Sequence, residues 1–226
     1  ALVEEQHPGQ RLLLIDQLAA FYVFTDMERS RALLDEQDGI LAIHTGEAHS
    51  VQYYINRAIL ENQAYQYDLA DRYFLKAIKL IEEKPDARAQ AELYIDYTGT
   101  CINNRRMEEA SANLEKARRV LRIYPDPCLE ARITCREGFV QLHYSNFARA
   151  IELLLEADKE IRAISQEVLD IKDYFFLVLI NSGLGNIHER NDDLERSVKA
   201  YLRAVDIAER LGMWSRMSWL YLNIGN

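Results

Sequence analysis

The sequence predicts an all-α fold built as a solenoid of repeated helix pairs, and three observations predict it. The first is an echo: Asp26-Met-Glu-Arg-Ser30 returns as Asp193-Leu-Glu-Arg-Ser197. The second is that the segments between them echo too. Stepping by forty from Ser30 reaches Ala70, Ala110 and Ala150, and Ser197 follows after 47. Self-similarity at such a period is the signature of a repeat array. The third is the scarcity of breakers, 9 Gly and 4 Pro in 226 residues, which favours helix over a turn-rich β fold.

Each element follows from these five anchors. Three residues before them stand Met27, Tyr67, Met107, Phe147 and Leu194. Four after stand Leu34, Phe74, Leu114, Leu154 and Tyr201, and seven after stand Gln37, Ala77, Ala117, Ala157 and Ala204. These offsets fall on one stripe of a helix, with a large residue between small ones that let a neighbour approach. Twelve residues before the anchors, Leu18, Ala58, Thr98, Gly138 and Gly185 mark a first helix that crosses the second closely.

In order, the units span 10–46, 47–86, 87–126, 127–170 and 171–212, and Gly225 opens a partial sixth over 213–226. All belong to one array over 1–226. The first is irregular, with Leu18 and Gln37 at places that are small elsewhere. Turn residues punctuate the rest: Thr45-Gly46, Lys84-Pro85-Asp86, Asn103-Asn104, Tyr124-Pro125-Asp126-Pro127, Ser145-Asn146 and Asn191-Asp192. A surplus of seven residues lies between Ala157 and Gly185. Two extra helical turns or a loop near Ser165 would each account for it.

The charge balance, 36 acidic against 27 basic residues for a net −9, argues against nucleic acid as a partner, because phosphate binding needs clustered Lys and Arg. No apolar run approaches the ~18 residues of a spanning helix, so no membrane segment is expected in this stretch. Three cysteines, Cys101, Cys128 and Cys135, are expected as buried free thiols, which favours a reducing, cytoplasmic setting. An extracytoplasmic sensor region of a longer protein is the other reading, and a start at Ala1 rather than Met is what a fragment would show.

Catalytic chemistry is not expected. The G-x-G within Asn181-Ser182-Gly183-Leu184-Gly185 sits inside a helix, without the strand that a phosphate-cradling loop requires. His7, His44, His49, His143 and His188 form no metal-ligand spacing, since zinc needs three or four converging ligands. Glu108-Glu109 and Asp192-Asp193 stand where helices begin, where negative charge suits the dipole. No cofactor, metal or catalytic residue is assigned.

Leu184-Gly185 followed by Ser197, Tyr201 and Ala204 resembles the tetratricopeptide repeat (TPR) family, whose unit is a helix–turn–helix with small residues at these places. Gly138, Ala150, Leu154 and Ala157 match it, as do Ala58, Ala70, Phe74 and Ala77, and Ala110, Leu114 and Ala117. The unit here is 40 residues rather than the family's 34. The resemblance implies a right-handed α-solenoid of antiparallel helix pairs that binds a protein or peptide segment on its first helices. The long period is similar to TPR regions of bacterial signalling proteins, the sensory or regulatory part of a histidine kinase, nucleotide cyclase or transcriptional regulator. A free-standing adaptor or assembly scaffold is the alternative.

The resemblance places the binding face at four positions per unit. These are Gln52, Asn56, Ile59 and Gln63; Glu92, Asp96, Gly99 and Asn103; Arg132, Arg136, Phe139 and His143; and Leu179, Gly183, Asn186 and Arg190. Each set lies on one helical face. Two readings stand. Arg132, Arg136 and His143 receive an acidic group beside Phe139, or Glu92 and Asp96 pair with Arg132 and Arg136 between rungs. The carboxylate clamp of chaperone-tail-binding TPRs is absent, since its places hold Ile15/Ala19, Ile55/Ile59, Ile95/Gly99 and Cys135/Phe139. Trp214 and Trp219 near the C-terminal end suggest a homodimer contact there.

Overall fold

In a computed structural model of the protein, residues 8–44 and 48–225 are described. The Thr45-Gly46 turn and His7 lie outside them. Every regular element among the described residues is an α-helix, and successive helices pack as adjacent pairs, an α-solenoid-like repeat. The chain divides into two compact units, Ala1–Pro85 and Asp86–Asn226. The first holds α1 (Pro8–Thr25), α2 (Met27–Ile43), α3 (Val51–Gln63) and α4 (Tyr67–Glu83), with α3 laid on both α1 and α2. The second holds α5 (Ala87–Asn103), α6 (Met107–Leu121), α7 (Pro127–His143), α8 (Phe147–Ala163), α9 (Ile171–Arg190), α10 (Leu194–Arg210) and α11 (Trp214–Gly225). There α7 packs on α5 and α6, α9 on α7 and α8, and α11 on α10.

The echo that opens the sequence has a physical cause. Asp26 caps α2 by accepting from the Arg29 amide at 3.0 Å, and Asp193 caps α10 by accepting from the Arg196 amide at 3.1 Å. Ser30 then donates its hydroxyl to the Ala19 carbonyl at 3.1 Å, and Ser197 donates to Gly185 at 2.9 Å, tying each second helix to its first. In the three middle hairpins the anchors are Ala70, Ala110 and Ala150, all fully buried, and Gln66, Arg106 and Asn146 supply no side-chain cap.

The large residues four past the anchors, Leu34, Phe74, Leu114, Leu154 and Tyr201, are all buried. Two of them explain the glycines opposite. A Cβ on Gly138 would come within 3.0 Å of the Leu154 side chain, and one on Gly185 within 2.9 Å of the Tyr201 ring. The small residue of the first helix is thus the seat for the large residue of the second, within one hairpin.

Four hairpins close through the same three-residue turn. Its central residue takes a left-handed conformation: Tyr65 (φ 61°), Arg105 (φ 59°), Ser145 (φ 60°) and Asp192 (φ 58°). None is glycine. The seven-residue surplus divides between two places. The link 164–170 is four residues longer than the link 84–86, and α9 begins three residues further ahead of its Gly185 than α7 does of Gly138. Asp170 opens this lengthened helix with a capping box, accepting from the Lys172 and Asp173 amides while the Asp173 carboxylate accepts from the Asp170 amide.

The three cysteines are buried and none is in a disulfide among the described residues, as expected. Burial pushes the Cys135 thiol up to about 12 and Cys128 to about 11, so neither is a nucleophile near neutrality. None of the described helices is long and apolar enough to cross a membrane.

Candidate functional site

In the second unit, α5, α7 and α9 lie side by side as successive first helices, and the residues expected to form a binding face line up along them. That face has two unlike halves.

The N-terminal half is an internal ion cluster. Arg132 is fully buried at 0% exposure. Its Nε donates to Asp173 Oδ1 at 2.7 Å, its Nη2 to Asp170 Oδ1 at 2.7 Å, and its Nη1 to Glu92 Oε1 at 3.4 Å. Lys172 donates to Glu92 and, at 2.8 Å, to Asp96 Oδ2. Four carboxylates therefore share two buried cations, and Arg88 reaches Glu92 from the outside at 3.7 Å. Burial pulls Glu92 and Asp170 upward, but the Lys172 and Arg132 charges outweigh it at Glu92, as Arg132 does at Asp170, and both stay below the usual carboxylate range. At the drier Asp96 and Asp173 burial wins and both are raised. Burial disfavours the Lys172 ammonium, yet Asp96 and Glu92 hold its pKa above the ordinary lysine value.

This corrects the first sequence-based reading of Arg132 and part of the second. Arg132 is a structural cation, not one that faces a ligand, because three carboxylates already surround it. Glu92 pairs with Arg132 as the second reading held, but Asp96 pairs with Lys172 rather than with an arginine. Arg136 makes no ion pair among the described residues. Its guanidinium stacks 4.9 Å from the Phe176 ring, fills the space a side chain at Gly99 would need, and leaves Nε buried without an acceptor. Burial accordingly lowers its pKa.

Sequence reasoning missed Lys172, Phe176, Asp170 and Asp173. A signal for two of them was present. Extending the spacing of the fifth set backward from Leu179 by three and then four residues reaches Phe176 and Lys172, on the same face of the lengthened α9.

The C-terminal half is open. Phe139, Leu179 and Asn186 are half-buried, and Asn103, His143 and Arg190 are exposed. Two adjoining hollows form here, sharing Phe139, Leu142 and Asn186. One, of about 220 Å³, is lined by α7, α9 and α11 and includes Gly183, Arg216 and Trp219. The other, of about 360 Å³, is bounded by Ile102, Arg105, His143 and Arg190. Trp214 and Trp219 are both exposed, and Trp219 meets the Tyr201 ring edge-on at 6.3 Å.

The residues expected in the second set lie in the first unit and are internally engaged. Gln52 donates to Asn56 Oδ1 at 2.8 Å, Asn56 donates to the Asp16 carbonyl at 3.0 Å, Gln63 donates to the Val23 carbonyl at 2.7 Å, and Ile59 is buried. His49 sits 2.7 Å from Asp38, and no three metal-ligating side chains converge among the described residues.

No family model matches the chain, and no curated protein does. Solved structures do. One is the crystal structure of BtubC (BKLC) from P. vanneervenii, at 15% identity and a TM-score of 0.54, covering 98% of this chain and 83% of that one. Another is a Signal Transduction ATPase with Numerous Domains (STAND) protein with a tetratricopeptide repeat sensor, PH0952 from Pyrococcus horikoshii, at 16% identity and a TM-score of 0.61. That match covers 94% of this chain and 31% of the STAND protein. At these identities the likeness is one of fold, and the fold is that of a helical repeat.

Proposed function

We propose that this chain is a non-catalytic TPR region that holds a protein or peptide segment, and that it serves as the sensory or regulatory part of a bacterial signalling protein. The observation that carries the reading is the contrast along α7. Its N-terminal half is neutralised by the protein's own charges, whereas its C-terminal half offers Phe139 and His143 to a pair of open hollows. Side chains left half-buried around a concavity are what a binding face requires. The likeness to a STAND protein with a tetratricopeptide repeat sensor supports the sensory role. The likeness to BtubC, which extends over 83% of that chain, favours a second reading, a free-standing adaptor.

Two experiments test this. Reading the gene beyond both ends discriminates the roles: a kinase, cyclase or DNA-binding domain supports the sensor, and a stop codon within a repeat or two supports the adaptor. Phe139→Asp and Leu179→Asp then probe the face in the full-length protein. Unchanged output and unchanged partner capture would sink the assignment of binding to this face.

A further inference from the structure

We propose that the open half of the α5–α7–α9 face recognises an acidic peptide segment that carries a bulky apolar side chain beside its carboxylates. The proposal rests on reading the chain as a peptide-binding region and assigns the chemistry of what it binds.

The two hollows are chemically complementary to such a segment. The first is apolar: Phe139, Val178, Leu179, Trp219 and Leu220 wall a space of about 220 Å³, suited to a single large side chain. The second, about 360 Å³, is bordered by three basic side chains, Arg105 from the turn after α5, His143 from the end of α7 and Arg190 from the end of α9. No Asp or Glu lines it, in a chain whose net charge is −9. Neither Arg105 nor Arg190 makes an ion pair among the described residues, so both guanidinium forks are free to meet a carboxylate. Arg190 offsets the C-terminal dipole of its own helix. That accounts for Arg190 alone, but not for its convergence with Arg105 and His143 on one cavity.

The shared wall fixes the spacing. Phe139, Leu142 and Asn186 belong to both hollows, so an apolar group in one and an anion in the other must be near neighbours on the ligand. Asn186 stands at the junction with an amide able to donate to and accept from a peptide backbone. An inorganic anion would leave the apolar hollow empty, and a purely apolar segment would leave both guanidinium groups unmatched.

The test is fluorescence anisotropy on the whole chain with four fluorescein-labelled nonapeptides, each a Gly/Ser frame around a core of Phe-Glu-Glu, Ala-Glu-Glu, Phe-Gln-Gln or Phe-Lys-Lys. The Phe-Glu-Glu peptide is expected to bind about tenfold or more tightly than each of the others, the scale of losing a charge-assisted pair or an apolar anchor. The double variant Arg105→Asn/Arg190→Gln should erase that preference. Asn suits the left-handed turn at 105, so the fold is retained. Phe139→Ala should weaken the two Phe-bearing acidic and neutral peptides and leave Ala-Glu-Glu unmoved. Equal binding of Phe-Glu-Glu and Phe-Gln-Gln, or a preference that survives the double variant, overturns the proposal. Tighter binding of Phe-Lys-Lys overturns it while leaving the peptide-binding reading in place. If no peptide binds and Phe139→Asp leaves partner capture unchanged in the full-length protein, both readings fall.

Discussion

Arg132→Met in the second unit has a consequence that can be worked from the carboxylates it would strand. Asp170 has 45% of its side chain exposed and would rehydrate. Glu92 would keep Lys172. Asp173, with 1% of its side chain exposed, would keep only the Asp170 amide at 2.9 Å. The cost therefore concentrates on one dry carboxylate, and breaking a buried pair from one side typically costs about 3–5 kcal/mol. Since two of three partners recover, the loss should fall near the lower end, about 3 kcal/mol. Asp173→Asn keeps an oxygen for the capping box and leaves Arg132 two carboxylates, so its loss should be about 1 kcal/mol. With both changes no charge is stranded, and the double variant should be about 2 kcal/mol more stable than the sum of the single losses implies. Urea unfolding followed by tryptophan fluorescence measures this directly, because Trp214 and Trp219 both lie in the unit that contains Arg132. An Arg132→Met loss below about 1 kcal/mol, or strict additivity, would refute the view that Arg132 is there to neutralise Asp173.

Other expectations follow from the same geometry. Burial raises the Asp16 carboxyl above its usual range against hydrogen bonds from Ser50 and Gln37, and Asp16 Oδ1 and Gln37 Oε1 are both buried without a partner. A carboxylate raised on folding stabilises the fold below its unfolded pKa, and that contribution is lost as pH rises through the folded value. Asp16→Asn should thus stabilise at neutral pH by about 1 kcal/mol, with an advantage that shrinks toward about pH 4 in thermal melts. Tyr65→Gly should raise stability by up to about 1 kcal/mol, since Tyr65 is exposed and held in a left-handed conformation. Chemical denaturation would show it, and a loss would mean that the ring contributes more than the backbone strain. Ala150→Leu should cost about 1–3 kcal/mol by overpacking, because Ala150 is fully buried against the Gly138–Leu154 crossing. Asp193→Ala should cost about 1 kcal/mol through the lost α10 cap, read from the same melts.

The hairpins were legible because their cause is periodic. A small residue must seat a large one at each crossing, so Gly138 with Leu154 and Gly185 with Tyr201 leave a mark every forty or so residues. The left-handed turns were only partly legible. Asn191-Asp192, Ser145-Asn146 and Asn103-Asn104 carry turn chemistry, but the residues around Tyr65 carry none, and only its forty-residue spacing from Arg105 reveals that turn. Arg132, Arg136, Phe139 and His143 all lie along α7, as their spacing predicts, but spacing does not give the fate of Arg132. Whether a cation on that face is solvated or enclosed depends on residues brought from α5 and α9, and the enclosing ones arrive through the surplus that displaces the fifth unit from the common period.

The division of one face into an enclosed ionic half and an open basic half makes the two halves respond differently to dissolved salt. Charges that touch one another out of water lie inside a Debye length and are little affected by mobile ions, whereas exposed guanidinium groups are screened over about 8 Å at physiological ionic strength. Added salt should therefore loosen whatever charge is held at Arg105 and Arg190 while leaving the clamp of Arg132 and Lys172 between the helices intact. The protein would release an acidic guest without softening the scaffold that presents it.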